Sequence, residues 1–172
     1  MHKIVLTGPE STGKTSLAKA LANHYQAPWV PEYAREYLEA LGRDYLASDL
    51  LEIAKGQLAL EDTFALQAPA YLFCDTSLVV LKIWSEYKYG QCDPWILTQL
   101  ATRSYDLYFL CGIDVPWEAD PLREHPNERA QLYDQYKSTL QQLALPFVEL
   151  TGNLEKRLKK AQVSLLDYQK NL

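Results

Sequence analysis

The sequence predicts an α/β protein: a five-stranded, mainly parallel sheet flanked by helices in three layers. Three observations carry this. Five short apolar runs alternate with longer helical patterns. The runs lack the in–out alternation of a half-exposed strand, which is how strands covered on both faces read. A glycine-rich segment, G-x-x-x-x-G-K-T over residues 8–15, falls between the first run and the first helix, where the backbone of such a sheet can receive phosphate.

In chain order, HKIVLTG from His2 is the first strand, and the helix after the loop begins at about Gly13. PWVPE from Pro28 is the second strand. A short helix follows in PEYAREYLEAL, where Tyr33, Tyr37 and Leu41 form the buried side. That leaves Arg35 sideways or outward, in reach of Glu39 four residues on, a surface bridge of a few tenths of a kcal/mol. In SDLLEIAKGQLALEDTFAL, Leu51, Ala54, Leu58 and Ala65 share a face, and Asp49 with Glu52 offers a capping pair. YLFCDT from Tyr71 is the third strand, leading into the helical run SLVVLKIWSEYKYG. LYFLCG from Leu107 is the fourth. A helix over ERAQLYDQYKSTLQQLAL repeats Leu132, Tyr136, Leu140 and Leu143, and Pro146 stops it before the fifth strand, PFVEL. The last helix follows Gly152-Asn153, with Leu154, Leu158, Ala161, Leu165 and Tyr168 on one stripe. The irregular stretch is DVPWEADPLREHPNER from Asp114, where prolines at 116, 121 and 126 forbid a long helix. It reads as a plain connecting loop or, given Arg123 and Arg129, as a lid over about 114–129.

Residues 1–172 suit one domain, with 48% hydrophobic and 23% charged residues, ordinary for a soluble globular chain. A net charge of −5 without a basic block argues against nucleic-acid binding. No run of about 18 apolar residues exists to span a bilayer, and the start, MHKIVLTGPES, does not read as a signal peptide, so no membrane partner and a cytoplasmic address are expected. Cys74, Cys92 and Cys111 show no C-x-x-C spacing, and their odd number suits a reducing compartment. His2, His24 and His125 form no zinc-ligand spacing. Oligomeric state is left open.

In an open parallel sheet, ligands bind at the carboxyl ends of the strands. Those ends carry the glycine loop, Glu32, Asp75 with Thr76, Gly112 with Asp114, and Thr151-Gly152. Gly8 and Gly13 let the backbone turn tightly against phosphate oxygens. Lys14 supplies a mobile cation, and the Thr15 hydroxyl a ligand for Mg²⁺. Glu10, Ser11, Thr12 and Ser16 complete the candidate nucleotide loop, with Arg129, Thr151 and Gly152 beside it. Asp75 closes an apolar strand, which suits a metal-directed or proton-accepting carboxylate; a helix cap is the plainer reading. Glu32 ends a strand at the same edge and suits ribose hydroxyls. Trp84 and Trp95 read as core, whereas Trp117 is the better candidate to stack on a flat ring.

GPESTGKTSLA, PEYAREYLE, FCDTSLVVLKIWSEYKYG, YDLYFLCGIDVPWEADPLREHPNER and LTGNLEKRLKKA together resemble the ribosylnicotinamide kinase domain of the NadR type, within the nucleoside-kinase branch of phosphate-loop NTPases. The likeness implies phosphoryl transfer from ATP to the 5′-hydroxyl of nicotinamide riboside. It points to Lys14 and Thr15 for ATP and Mg²⁺, and to Asp75 for metal or base work. Glu32, Tyr33 and Arg35 fall on the riboside side, and Asp114, Trp117 and Arg123 on a mobile segment over the phosphates. Two positions depart from the pattern: Ser77 stands where a second acid or an amide is expected, and Pro121 replaces an expected glycine. Glu32 or Asp75 takes the hydroxyl proton, and Arg123 with Arg129 offsets charge as the lid closes. The alternatives are a kinase of another nucleoside or small metabolite, and a nucleotide-dependent regulator; no N-K-x-D run for guanine is visible.

Overall fold

The computed structural model describes residues 1–125 and 127–170; Pro126, expected to help keep its segment irregular, lies outside the described residues, as do Asn171 and Leu172. In chain order the elements are β1 (His2–Thr7), α1 (Lys14–Tyr25), β2 (Trp29–Val30), α2 (Tyr33–Leu41), α3 (Ala47–Ala65) and β3 (Tyr71–Asp75). Then come α4 (Leu78–Tyr89), α5 (Pro94–Thr102), β4 (Leu107–Cys111), α6 (Arg129–Gln142), β5 (Phe147–Leu150) and α7 (Leu154–Lys170). The strands lie in the order β2-β3-β1-β4-β5, and every neighbouring pair is parallel.

The three inner strands are apolar because both their faces are covered. Val5, Leu72, Cys74, Tyr108 and Leu110 point to the side covered by α2 to α6, where Leu50, Ile53, Leu78, Ile83, Ile96 and Leu140 close the core. Ile4, Leu6, Phe73, Phe109 and Cys111 point the other way, onto Leu17 and Leu21 of α1 and Ala161 and Leu165 of α7. Cys74 and Cys111 are thus buried among these side chains as free thiols. The register sets Leu6 opposite Asp75 and Thr7 opposite Leu110. The carboxyl ends of β1, β3 and β4 therefore finish level with one another, with the glycine loop emerging between them.

Several local expectations are corrected. The buried face of α3 is Leu50, Ile53, Ala54, Gln57, Leu58 and Glu61; Leu51 and Ala65 flank it, because the helix packs between the sheet and α4 rather than on one surface. Asp49 does cap α3, but its carboxylate accepts the Leu46 backbone N–H at 2.7 Å, while Glu52 pairs with Lys55. Leu143 lies beyond the end of α6 and is exposed: the chain turns there through Ala144 in the left-handed region, ahead of Pro146. On α7 the buried residues are Arg157, Ala161 and Leu165, and Leu154 is exposed. The cap of α4 is Ser77, whose Oγ accepts the Val79 N–H, so Asp75 is not spent as a helix cap. No helix among the described residues is long and apolar enough to cross a membrane.

Helix α2 is seated on α3 at a glycine. A Cβ on Gly56 would lie 2.0 Å from the Tyr33 ring, and the Tyr33 N–H donates to Gln57 Oε1 at 2.9 Å. Gly56→Ala is therefore expected to lift α2 off α3 and cost about 1–3 kcal/mol, read as a lower urea midpoint; an unchanged midpoint would show that the ring has room to move.

Candidate active site

The glycine loop is built by left-handed backbone. Gly8 has φ 132 and Gly13 φ 77, with Ser11 at φ 54 between them. A Cβ on Gly8 would sit 2.8 Å from the Cys111 carbonyl oxygen, so β4 leaves room for glycine alone. Gly13 is the N-terminal flanking residue of α1, so the first amides of that helix open toward the loop. Lys14 Nζ arches back over the loop and donates to the carbonyls of Gly8 at 3.0 Å and Pro9 at 2.8 Å. The Thr12 hydroxyl donates to Pro9 at 2.8 Å and is a strut of the loop.

Beside the loop, the Thr15 hydroxyl donates to Asp75 Oδ2 at 2.5 Å. Asp75 is 2% exposed, and its Oδ1 has no hydrogen-bond partner among the described residues. Burial pushes its pKa up, against the lowering pull of Lys14 and of the Thr15 hydrogen bond. A hydroxyl and a carboxylate with a free buried oxygen are hard donors of the kind Mg²⁺ takes, so the residues present fit that ion. Glu32, at the foot of α2, is raised in the same way: burial dominates, Lys14 opposes it, and the Asp75 charge adds to it. The two carboxyls and Lys14 thus form one electrostatic group at the carboxyl ends of β1, β2 and β3.

The segment after β4 lies against the glycine loop and is tied to it at several points. The Glu10 carboxylate accepts the backbone N–H groups of Glu124 at 3.0 Å and His125 at 3.2 Å. Ser11 Oγ accepts the Glu118 N–H at 2.9 Å and an Arg123 N–H at 3.3 Å. Arg129 Nη2 donates to the carbonyls of Ser11 and Val115, both at 3.0 Å. The guanidinium groups of Arg123 and Arg129 stand 5.9 and 5.8 Å from the Trp117 ring centre. On the far side Arg35 reaches Asp120 at 3.0 Å, besides the expected Glu39 at 3.7 Å.

One cleft of about 1210 Å³ joins these parts. That exceeds the roughly 300–1,000 Å³ of a common small-molecule pocket, and it has two ends. The loop, Thr15, Ser16, Glu32, Arg35, Asp75 and Arg123 line one; Tyr45, Trp84, Tyr87, Lys88, Glu124 and His125 line the other. The Trp84 indole N–H donates to the Tyr45 hydroxyl at 2.8 Å, which donates to Glu124 Oε2 at 2.7 Å. Burial pushes the Tyr45 hydroxyl up to about 12, and Lys88 Nζ stands 3.7 Å from its ring centre. This second end was not read from the sequence. Its one local signal is the spacing of Trp84, Tyr87 and Lys88, which share a helix face at three and four residues.

Other sequence candidates stand outside the cleft. Tyr33 packs on α3, and Trp117 is half-buried beside Arg123 and Arg129. Thr151 and Gly152 lie behind the loop, where the Gly152 N–H donates to Asp114 Oδ2. Asp114 Oδ1 accepts from Arg157 at 2.5 Å, a residue the sequence did not single out. Trp84, read as core, does pack against it but also lines the cleft.

A family model described as an AAA domain matches residues 3–157. The Trifunctional NAD biosynthesis/regulator protein NadR of Escherichia coli (strain K12) is 32% identical over 127 residues, which is 72% of this chain and 31% of that protein. A crystal structure of NadR protein in complex with NR superposes with a TM-score of 0.85 at 24% identity, covering 97% of this chain and 51% of that chain. Another, in complex with NAD and AMP-PNP, gives a TM-score of 0.79 at 24% identity, over 97% and 49%. These likenesses in structure show the shared fold. The chain spans 31% of the length of that curated relative.

Because burial raises the Asp75 pKa, the folded state binds an extra proton there, and stability falls as pH rises from the ordinary carboxylate range through the raised value. Asp75→Asn, measured without divalent cations, is expected to melt a few degrees above the parent at neutral pH, with the gap closing in acid. A lower melting point at neutral pH would mean that the charge stabilises the fold.

Proposed function

This chain belongs to the AAA domain family, and on that premise we propose that it is a cytoplasmic, Mg²⁺- and ATP-dependent kinase of nicotinamide riboside, giving nicotinamide mononucleotide and ADP. The reading rests first on the Thr15–Asp75 contact: a loop hydroxyl and a buried carboxylate with a free oxygen, in one cleft with Glu32. The complexes of NadR proteins with NR and with AMP-PNP support the choice of acceptor and donor.

The loop amides and Lys14 receive the β- and γ-phosphates. Lys14 leaves the Gly8 and Pro9 carbonyls for phosphate oxygens of opposite charge, a stronger pairing for an ammonium. Thr15 and Asp75 would hold Mg²⁺, which when bound screens the phosphates and keeps them in line. With Asp75 Oδ2 engaged by Thr15 and its free oxygen given to the metal role, Glu32 is the acceptor of the 5′-hydroxyl proton as the oxygen bonds to the γ-phosphorus and the bond to ADP breaks. Its raised pKa brings it nearer the working pH, which suits a general base. Arg35 orients the riboside end while tied to Asp120. Residues 114–129 act as the lid, with Arg123 placed to meet charge on the transferring group. Little covalent chemistry is asked of the protein; positioning and fixed charge supply most of the rate.

Purified protein given Mg²⁺ and ATP is expected to release ADP in response to nicotinamide riboside at least tenfold more efficiently than with adenosine, cytidine or uridine. Equal response to all would favour a broad nucleoside kinase, and no response to any would favour a nucleotide-dependent regulator. Lys14→Ala should lower kcat/KM by about two orders of magnitude or more while the circular dichroism spectrum shows the fold intact.

Glu32→Gln should cost roughly 10²- to 10⁴-fold in kcat. In the parent, kcat should fall as pH drops through the raised Glu32 pKa, above the ordinary carboxylate range, because the base must be ionised. An acid limb at the ordinary carboxylate value would move the base role elsewhere.

A further inference from the structure

The geometry points to Arg157 as a positioning residue for the nucleotide, acting through the backbone of the phosphate loop; the inference rests on the ATP-binding reading above. Arg157 lies in the first turn of α7, in the run LEKRLKKA whose other cations are all exposed. It turns inward and is 2% exposed. Four acceptors from three separate segments surround its guanidinium. Nη1 donates to the Thr12 carbonyl at 2.5 Å, Nε to the Gly152 carbonyl at 2.8 Å, and Nη2 to the Gly112 carbonyl at 3.0 Å and Asp114 Oδ1 at 2.5 Å. The loop, the end of β4 and the β5–α7 turn therefore meet on one side chain.

Packing alone does not call for this group. Burying a guanidinium is unfavourable unless its donors are satisfied. What it does is set by peptide geometry. The peptide is planar and trans, so its C=O and N–H point in opposite directions. With the Thr12 carbonyl held down on Arg157, the Gly13 N–H is turned the other way, toward the inside of the loop. A Cβ on Gly13 would lie 3.7 Å from Arg157 Nη1, so the cation also stands directly behind the anion-binding turn. Asp114 orients the fork from its outer side, which gives that carboxylate a place in the nucleotide end without contact with substrate.

The test is Mg²⁺–AMP-PNP and nicotinamide riboside titrated separately by calorimetry into the parent, Arg157→Lys and Arg157→Gln, each checked by circular dichroism and thermal melting. Lysine keeps the charge and loses the planar fork; glutamine keeps an N–H donor and loses the charge. The expected result is a Kd for AMP-PNP at least tenfold weaker in the glutamine variant, with partial rescue by lysine, and riboside affinity within twofold of the parent. Unchanged AMP-PNP affinity, or a parallel loss for both ligands, would overturn the inference. Should neither variant fold, Asp114→Asn, at a carboxylate 40% exposed, takes their place: selective weakening of AMP-PNP supports the inference, and none overturns it. A parent that fails to bind AMP-PNP would instead remove the kinase reading itself.

Discussion

The site depends on one contact: the Thr15 hydroxyl against Asp75 at 2.5 Å. It joins the first turn of α1 to the end of β3 and places an anion-seeking helix terminus beside a buried carboxylate. A phosphate drawn to that terminus and the carboxylate beside it repel each other unless cations stand between them. Lys14 does so within the protein, lowering the pKa of both Asp75 and Glu32 against the larger effect of burial. The contact exists because β1 runs between β3 and β4 in a register that ends Leu6 level with Asp75. A shift of that register by one residue would turn Asp75 to the other face of the sheet and separate the two groups.

The cleft couples its two ends through the segment after β4. Glu10 and Ser11 hold that segment on the loop side, by contacts to the backbone of Glu118, Glu124 and His125. Asp120 holds it to Arg35, and the Glu124 side chain to Tyr45 and Lys88. Glu124 belongs to both sets, its N–H at one end and its carboxylate at the other. Contacts from both ends of the cleft therefore converge on a single short stretch of chain.

What was legible in the sequence was whatever a local pattern dictates. The strands were legible because a strand covered on both faces is apolar along its length, as LYFLC and the first four residues of YLFCD are. The loop was legible because its turns need glycine at fixed spacing. Local inference failed where partners are far apart in sequence. Arg35 looked like a surface residue bridged to Glu39, and its shorter contact is Asp120, 85 residues on. Asp114 looked like a group facing the substrate because it follows a strand end, yet Arg157, 43 residues on, draws it behind the loop. Arg157 itself sits in a basic helical run that reads as a solvated face; the one mark against that reading is its spacing, four residues before Ala161 and eight before Leu165, on the side those residues bury. The Tyr45–Trp84–Glu124 end joins three segments that share no motif.

These failures have a common physical origin. Each residue missed at the site carries a polar group and is held by an acceptor or donor that would otherwise be left unsatisfied. Hydrophobic pattern places a residue by its own nature, whereas a buried polar group is placed by its partner, and the partner's position is known only once the sheet has formed. The apolar residues of this chain therefore specify the sheet and the level at which its strands end. The polar ones then settle where that frame brings donors and acceptors together, which is how Asp75, Glu32, Arg35 and Arg157 come to surround one loop. Where the frame brings a carboxylate into a dry site without a donor for each oxygen, as at Asp75, the unmet demand is itself the chemical capacity of the site.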